Sequence, residues 1–162
     1  MALATNAVKS VELYSGVESQ VVEVQEAASI AANVWYDGDL VTTASGLVSA
    51  VASTGAIAGI AGATCTGTDY TKLDLFLIDP AAIYVMRMAS TDYSARAYIG
   101  EAHGLTFTAG AQRILLSAYA TPDVVVVGIH PSDKHADGST GLAEGRILVR
   151  FNYDIFTGVS GA

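Results

Sequence analysis

A chain of 162 residues that is 51% hydrophobic and only 15% charged carries enough apolar material for a real core, which excludes wholesale disorder and suits one domain, or one domain with an arm. The net charge is -8, and the eight basic residues (Lys9, Lys72, Arg87, Arg96, Arg113, Lys134, Arg146 and Arg150) are scattered, which disfavours direct nucleic-acid binding. Cys65 is the only cysteine, so an internal disulfide and a multi-cysteine metal site are excluded; its apolar neighbours read as those of a small buried side chain, not a nucleophile.

The N-terminus "MALATNAVKSVELYSG" has no charged region followed by a continuous apolar run, and no secretory signal is expected. Residues 8–14 and 20–25 have strand character with interspersed glutamates, so 1–26 reads as an N-terminal arm or a first hairpin. Residues 27–34 offer a turn or two of helix. Trp35 then precedes an Asp37–Gly38 turn, a hairpin signal.

From Leu40 to Thr68 the chain has no charge, and "GAIAGIAGATCTG" lies within this stretch. Its length would span a bilayer, but Ala, Gly, Ser and Thr dominate where a span needs larger apolar residues, so no membrane is expected. Its glycines match neither G-x-G-x-x-G nor G-x-x-x-x-G-K-[ST], so it is not read as a phosphate loop. It parses instead as short strands at 39–43, 47–51 and 56–61, with "ASG" and "STG" as turns. Glycines inside the last of these mark a bulge or a place where another backbone comes close.

"KLDLFLID" is the next predicted strand, with Leu73, Leu75 and Leu77 on one face and Pro80 ending it. Residues 82–88 follow at hairpin distance, and a short strand is expected around Tyr98. "DVVVVGI" (123–129) is apolar on both faces and predicts a central strand. "GRILVRFNYDIF" alternates, with Ile147, Val149, Phe151 and Tyr153 on one face. A long polar hairpin loop joins the two. The fold class expected is mainly β: a small barrel or sandwich with short hairpins and little helix. The divisions are 1–26, a β-rich domain over 27–156, and a flexible tail at 157–162.

The long loop places Asp133, His135, Asp137, Gly138 and Glu144 at positions of the calcium-loop pattern D-x-[DN]-x-[DN]-G-x5-E. His135 is a poor ligand for a hard cation and the flanks are strands, so calcium is not expected. His130 and His135, with Asp133 and Asp137, raise a zinc reading; the third histidine, His103, is far off in sequence and none is assigned. There is no G-x-S-x-G elbow and no H-E-x-x-H, and no catalytic, cofactor or metal residue is assigned. The chain is not expected to be an enzyme.

The order of weak motifs from Trp35 to Phe151 resembles tailed-phage head decoration, or capsid cement, proteins. It runs from "YDGDLVTTASGLVSAVASTGAIAGIAGATCTGTDYTKLDLFLIDPAAIYVMRM" through "YIGEAHGL" to "VVVVGIHPSD" and "GRILVRF". The resemblance implies a small β-tulip-like or barrel domain on the outer surface of the virion's capsid. Its implied partners are the major capsid protein and itself, as a trimer or dimer, with no cofactor and no catalytic residue. The acidic charge fits the outer face of a shell, away from packaged DNA. The alternatives are another phage structural protein (tail tube, head–tail connector or minor capsid protein) and a small β-barrel ligand-binding protein, for which a deep pocket with convergent polar groups would speak.

Overall fold

The computed structural model describes residues 9–16, 20–51, 57–89, 96–115, 123–133 and 145–152. Eleven strands run in chain order: β1 Glu12–Ser15, β2 Val21–Glu26, β3 Leu40–Ala44, β4 Leu47–Ala50, β5 Gly59–Ala61, β6 Lys72–Phe76, β7 Ile83–Arg87, β8 Ala102–Thr106, β9 Arg113–Leu115, β10 Val124–Ile129 and β11 Arg146–Phe151. The fold is mainly β. β2-β4-β3-β5-β6 close into a barrel, and the rest form a sheet in the order β1-β7-β11-β10-β8-β9. Helix among the described residues is limited to 3-10 turns at Arg96–Tyr98 and Pro131–Asp133.

The small-residue stretch holds β3, β4 and a last strand shortened to Gly59–Ala61; Ala56 and the "STG" turn lie outside the described residues. β3 and β4 form a hairpin whose loop, Ser45–Gly46, has positive φ at both residues (52° and 77°), the geometry of a type I′ turn. Alternation then divides the apolar side chains between two cores. Val41, Val48, Ala58, Ala61, Cys65, Leu73 and Leu75 fill the barrel with Trp35. Leu40, Ile57 and Ile60 point the other way, onto Tyr84, Met86, Val124, Val126, Ile147 and Val149 of the sheet. Gly59 and Gly62 allow close approach: a Cβ on Gly59 would lie 2.6 Å from the Phe76 carbonyl oxygen, and one on Gly62 2.9 Å from that of Asp74.

Several local expectations give way to tertiary pairing. β1 pairs with β7 while β2 pairs with β6 and, in parallel, with β4, so the first two strands go to different sheets and do not form a hairpin. The Asp37–Gly38 turn forms, closed by Asp39 N–H on Tyr36 O at 2.9 Å, but it leads from the barrel's end into β3 and joins no hairpin. Residues 82–88 do contain a strand, β7, yet it pairs with β11 and β1, not with β6. The link between them is an Asp79 turn, in which Asp79 Oδ1 takes the Ala81 N–H at 2.8 Å and the Asp79 N–H bonds Tyr84 Oη at 2.9 Å. Tyr98 ends a 3-10 turn instead of lying in a strand. Residues 27–34 form turns and no helix; Ser29 and Asn33 adopt positive φ (59° and 60°), which interrupts a helix. β10 is central, between β8 and β11, and β11 buries Ile147, Val149 and Phe151 as its alternation predicts.

The six-stranded sheet curls at its far side. Met88 bridges Ile114 of β9 in parallel, and the Ala89 N–H bonds Ile114 O at 2.9 Å. β9 is thus tied back to the end of β7. At the other end of the sheet β1 pairs with no second strand among the described residues; the N–H of Val11, just before it, bonds Gly38 O at 3.1 Å, and its register with β7 shifts between Leu13 and Ser15.

Candidate functional site

Two buried polar knots fix the frame on which any surface site rests. The first joins the barrel to the sheet. The fully buried Asp39 carboxylate accepts from Ser10 Oγ, from Tyr36 N–H at 2.9 Å and from Gly110 N–H at 2.7 Å. Ser10 Oγ in turn accepts from Gln112 N–H at 3.1 Å, and the Gln112 side chain pairs with both backbone groups of Leu40. The second knot closes the end of the barrel. Buried Glu26 accepts from the N–H of Thr66 at 2.7 Å, the N–H of Gly67 at 3.1 Å and the Thr66 hydroxyl at 3.0 Å. Each carboxylate is satisfied by donors of its own chain, as buried charge requires.

Between β1 and the barrel lies a groove of about 590 Å³. Its floor is Val11, Ile60, Ala61 and Tyr84; Leu13 of β1 forms one wall, and Val21 and Phe76, a cross-strand pair of β2 and β6, form the other. These wall residues are exposed apolar side chains: Leu13 is 40% accessible, Val21 51% and Phe76 36%. Single exposed apolar residues need no explanation; here three line one groove and make a contiguous exposed apolar patch. One end is fixed by Lys9, whose Nζ lies 3.4 Å from Asp37 Oδ1 and whose stem covers Gly38. Gly38 has φ +88°, and a Cβ there would meet the Lys9 Cβ at 2.5 Å, so the turn admits only glycine without a shift.

The residues weighed from sequence do not converge. Asp133 ends a 3-10 turn, and His135, Asp137, Gly138 and Glu144 lie outside the described residues. His103 is fully buried beside Val124, its Nε2 3.3 Å from Glu101 Oε2, whereas His130 follows the opposite end of β10 and accepts the Ser132 N–H at Nδ1. Cys65 is buried with Sγ 3.3 Å from Ala31 O and 3.7 Å from Glu26 Oε2; burial pushes its thiol pKa up, and the Glu26 charge adds to the rise. Among the described residues no three His, Cys, Asp or Glu side chains gather to hold a metal, and no helix is long and apolar enough to cross a membrane. The groove went unseen in the sequence because its walls come from 13, 21 and 76. Comparison with family models, curated proteins and solved structures finds no match to this chain.

Proposed function

We propose that this protein is a docking protein of a tailed-phage virion that decorates the outer face of the capsid and stabilises it. The observation that carries a docking role is the exposed apolar groove of Leu13, Val21 and Phe76, set on a frame held by buried polar knots. The order of motifs from Trp35 to Phe151 selects the capsid as the partner, and the net charge of -8 favours the outer face over the DNA-facing one. The barrel's lumen is filled by Trp35, Leu73, Leu75 and Val48, which argues against a ligand-binding barrel of the enclosed kind. Attachment through many copies on a lattice makes modest contacts sufficient, since effective concentration multiplies them. The test is co-sedimentation with expanded capsids of the parent phage, followed by heating with and without bound protein. Tight binding to assembled lattice, weak binding to free subunits and a raised rupture temperature are expected. Failure to bind, or binding that leaves rupture unchanged, would remove the cementing role.

A further inference from the structure

Two outward strand faces of this chain carry matching rows of opposite charge. In the barrel, Val24, Leu73 and Leu75 turn inward, so Val21, Glu23, Asp74 and Phe76 turn outward. There Val21 stands opposite Phe76, and the next outward pair is Glu23 opposite Asp74. In the sheet, Tyr84, Met86, Ile147 and Val149 are buried, so Val85, Arg87, Arg146 and Leu148 face away from the core. Val85 stands opposite Leu148, and the next outward pair is Arg87 opposite Arg146. Each face is an apolar row followed by a charged row about 7 Å further along the strands. The charged row is acidic on the barrel and basic on the sheet. From this match we infer that the sheet face of one copy docks on the barrel face of a second copy, head to tail.

Within one chain neither charged row is favourable, because like charges directly opposite each other in a sheet repel. On the barrel, Lys72 lies 2.8 Å from Glu23 in an exposed pair of little net worth, and Asp74 forms no ion pair among the described residues. On the sheet, Glu12 borders the arginines and offsets one of them, Lys9 beside it is paired with Asp37, and Arg150 extends the basic face beyond Leu148. Arg87 and Arg146 also interact within their own chain, and a guanidinium with several donors serves a further carboxylate as well. A second copy sets opposite charge over both rows at once. The apolar rows meet in the same step. Val21 and Phe76 are exposed, and Leu148 has a glycine, Gly128, as its other register partner, so it stands proud of the sheet on that side. Both members of each row share one character, so the rows align with the strands running either way. Faces stacked about 10 Å apart leave room for guanidinium and carboxylate to meet. A two-fold dimer of like faces would set acid on acid or arginine on arginine. The contact is therefore heterologous and continues into a ring or a filament.

This contact concerns the protein alone, does not rest on the capsid reading, and gives the barrel wall of the groove its occupant. Sedimentation velocity of the full chain should show concentration-dependent association, weakened in about 1 M salt, where screening leaves a Debye length of about 3 Å. Glu23→Lys with Asp74→Lys makes both faces basic, and Arg87→Glu with Arg146→Glu makes both acidic. Each double variant, with unchanged circular dichroism, should associate about tenfold more weakly than wild type or worse, and a one-to-one mixture of the two should regain association. Should the arginine variant fail to fold, Val21→Asp at an exposed position should weaken association as well. A chain that stays monomeric at about 1 mM, association unchanged by the barrel variant or by Val21→Asp, or a folded mixture that stays apart would overturn the contact. A monomeric chain whose arginine face binds an acidic peptide or duplex DNA would overturn the choice of occupant. Self-association without capsid binding would support the contact and remove the capsid role alone.

Discussion

Leu40 and Gln112 hydrogen-bond in both directions: Leu40 N–H donates to Gln112 Oε1 at 2.6 Å, and Gln112 Nε2 donates to Leu40 O at 2.9 Å. A side-chain amide thus stands in for a neighbouring strand at the start of β3, and it belongs to the loop that precedes β9. Barrel and sheet are joined by a bond pair of the kind found inside a sheet.

Gln112→Leu keeps the volume and leaves two buried backbone groups of Leu40 unpaired. The expected cost is about 2–6 kcal/mol, from roughly 1–3 kcal/mol for each of the two unsatisfied groups. Urea denaturation checks it. A loss under about 0.5 kcal/mol would mean that water replaces the amide at the joint.

Glu26→Leu removes the acceptor for Thr66, Gly67 and the Thr66 hydroxyl together. A loss on the order of 3 kcal/mol is expected, since buried donors without partners carry their full desolvation cost. Hydrogen exchange should show the Thr66 and Gly67 amides opening first. Their protection in the variant at wild-type levels would contradict the role assigned to Glu26.

Two glycines should respond in opposite ways. Gly59→Ala forces a Cβ onto the Phe76 carbonyl and should cost about 1–3 kcal/mol by overpacking. Gly46→Asn should stay within about 0.5 kcal/mol, because asparagine tolerates the left-handed backbone and nothing lies within 4 Å of the position. Thermal unfolding of the two variants side by side decides the matter.

The Cys65 thiol is raised from its ordinary value of 9.0 by burial, with the Glu26 charge adding to the rise. The folded chain then holds this proton more tightly than the unfolded chain does. That contribution to stability is whole below pH 9.0 and is lost as pH rises through the folded value. Cys65→Ala should therefore lose less stability than wild type as pH rises above 9.0. Parallel pH profiles for the two proteins would show that the thiol does not contribute.

What was legible in the sequence was local. The alternation of β11, the valine run of β10, the two-residue turn at Ser45–Gly46 and the close backbone approach at Gly59 each follow from a few adjacent residues. What was not legible was partnership. Nothing in "KLDLFLIDPAAIYVMRM" distinguishes a hairpin from a strand that leaves one sheet for another, because the Asp79 turn serves either outcome. The same holds for β1 and β2: both are short, acidic and strand-forming, and only pairing with β7 and with β6 separates them. The candidate site inherits that difficulty, since it exists only where those separated strands face each other.

The crossing of the chain from sheet to barrel and back has a kinetic consequence. β1 ends at Ser15, and its partner β7 begins only at Ile83, after every barrel strand has been made. β7 itself needs β11, the last described strand, to seat its other edge. During synthesis the first strand must therefore wait for its sheet partner while the barrel it borders is made, whereas β8–β9 and β10–β11 pair with sequence neighbours. Such long-range pairing is slow, on the order of milliseconds to seconds for β proteins. In that interval the edge and the apolar groove beside it lie bare, and this is when the chain depends most on chaperones and is most easily captured by the wrong strand.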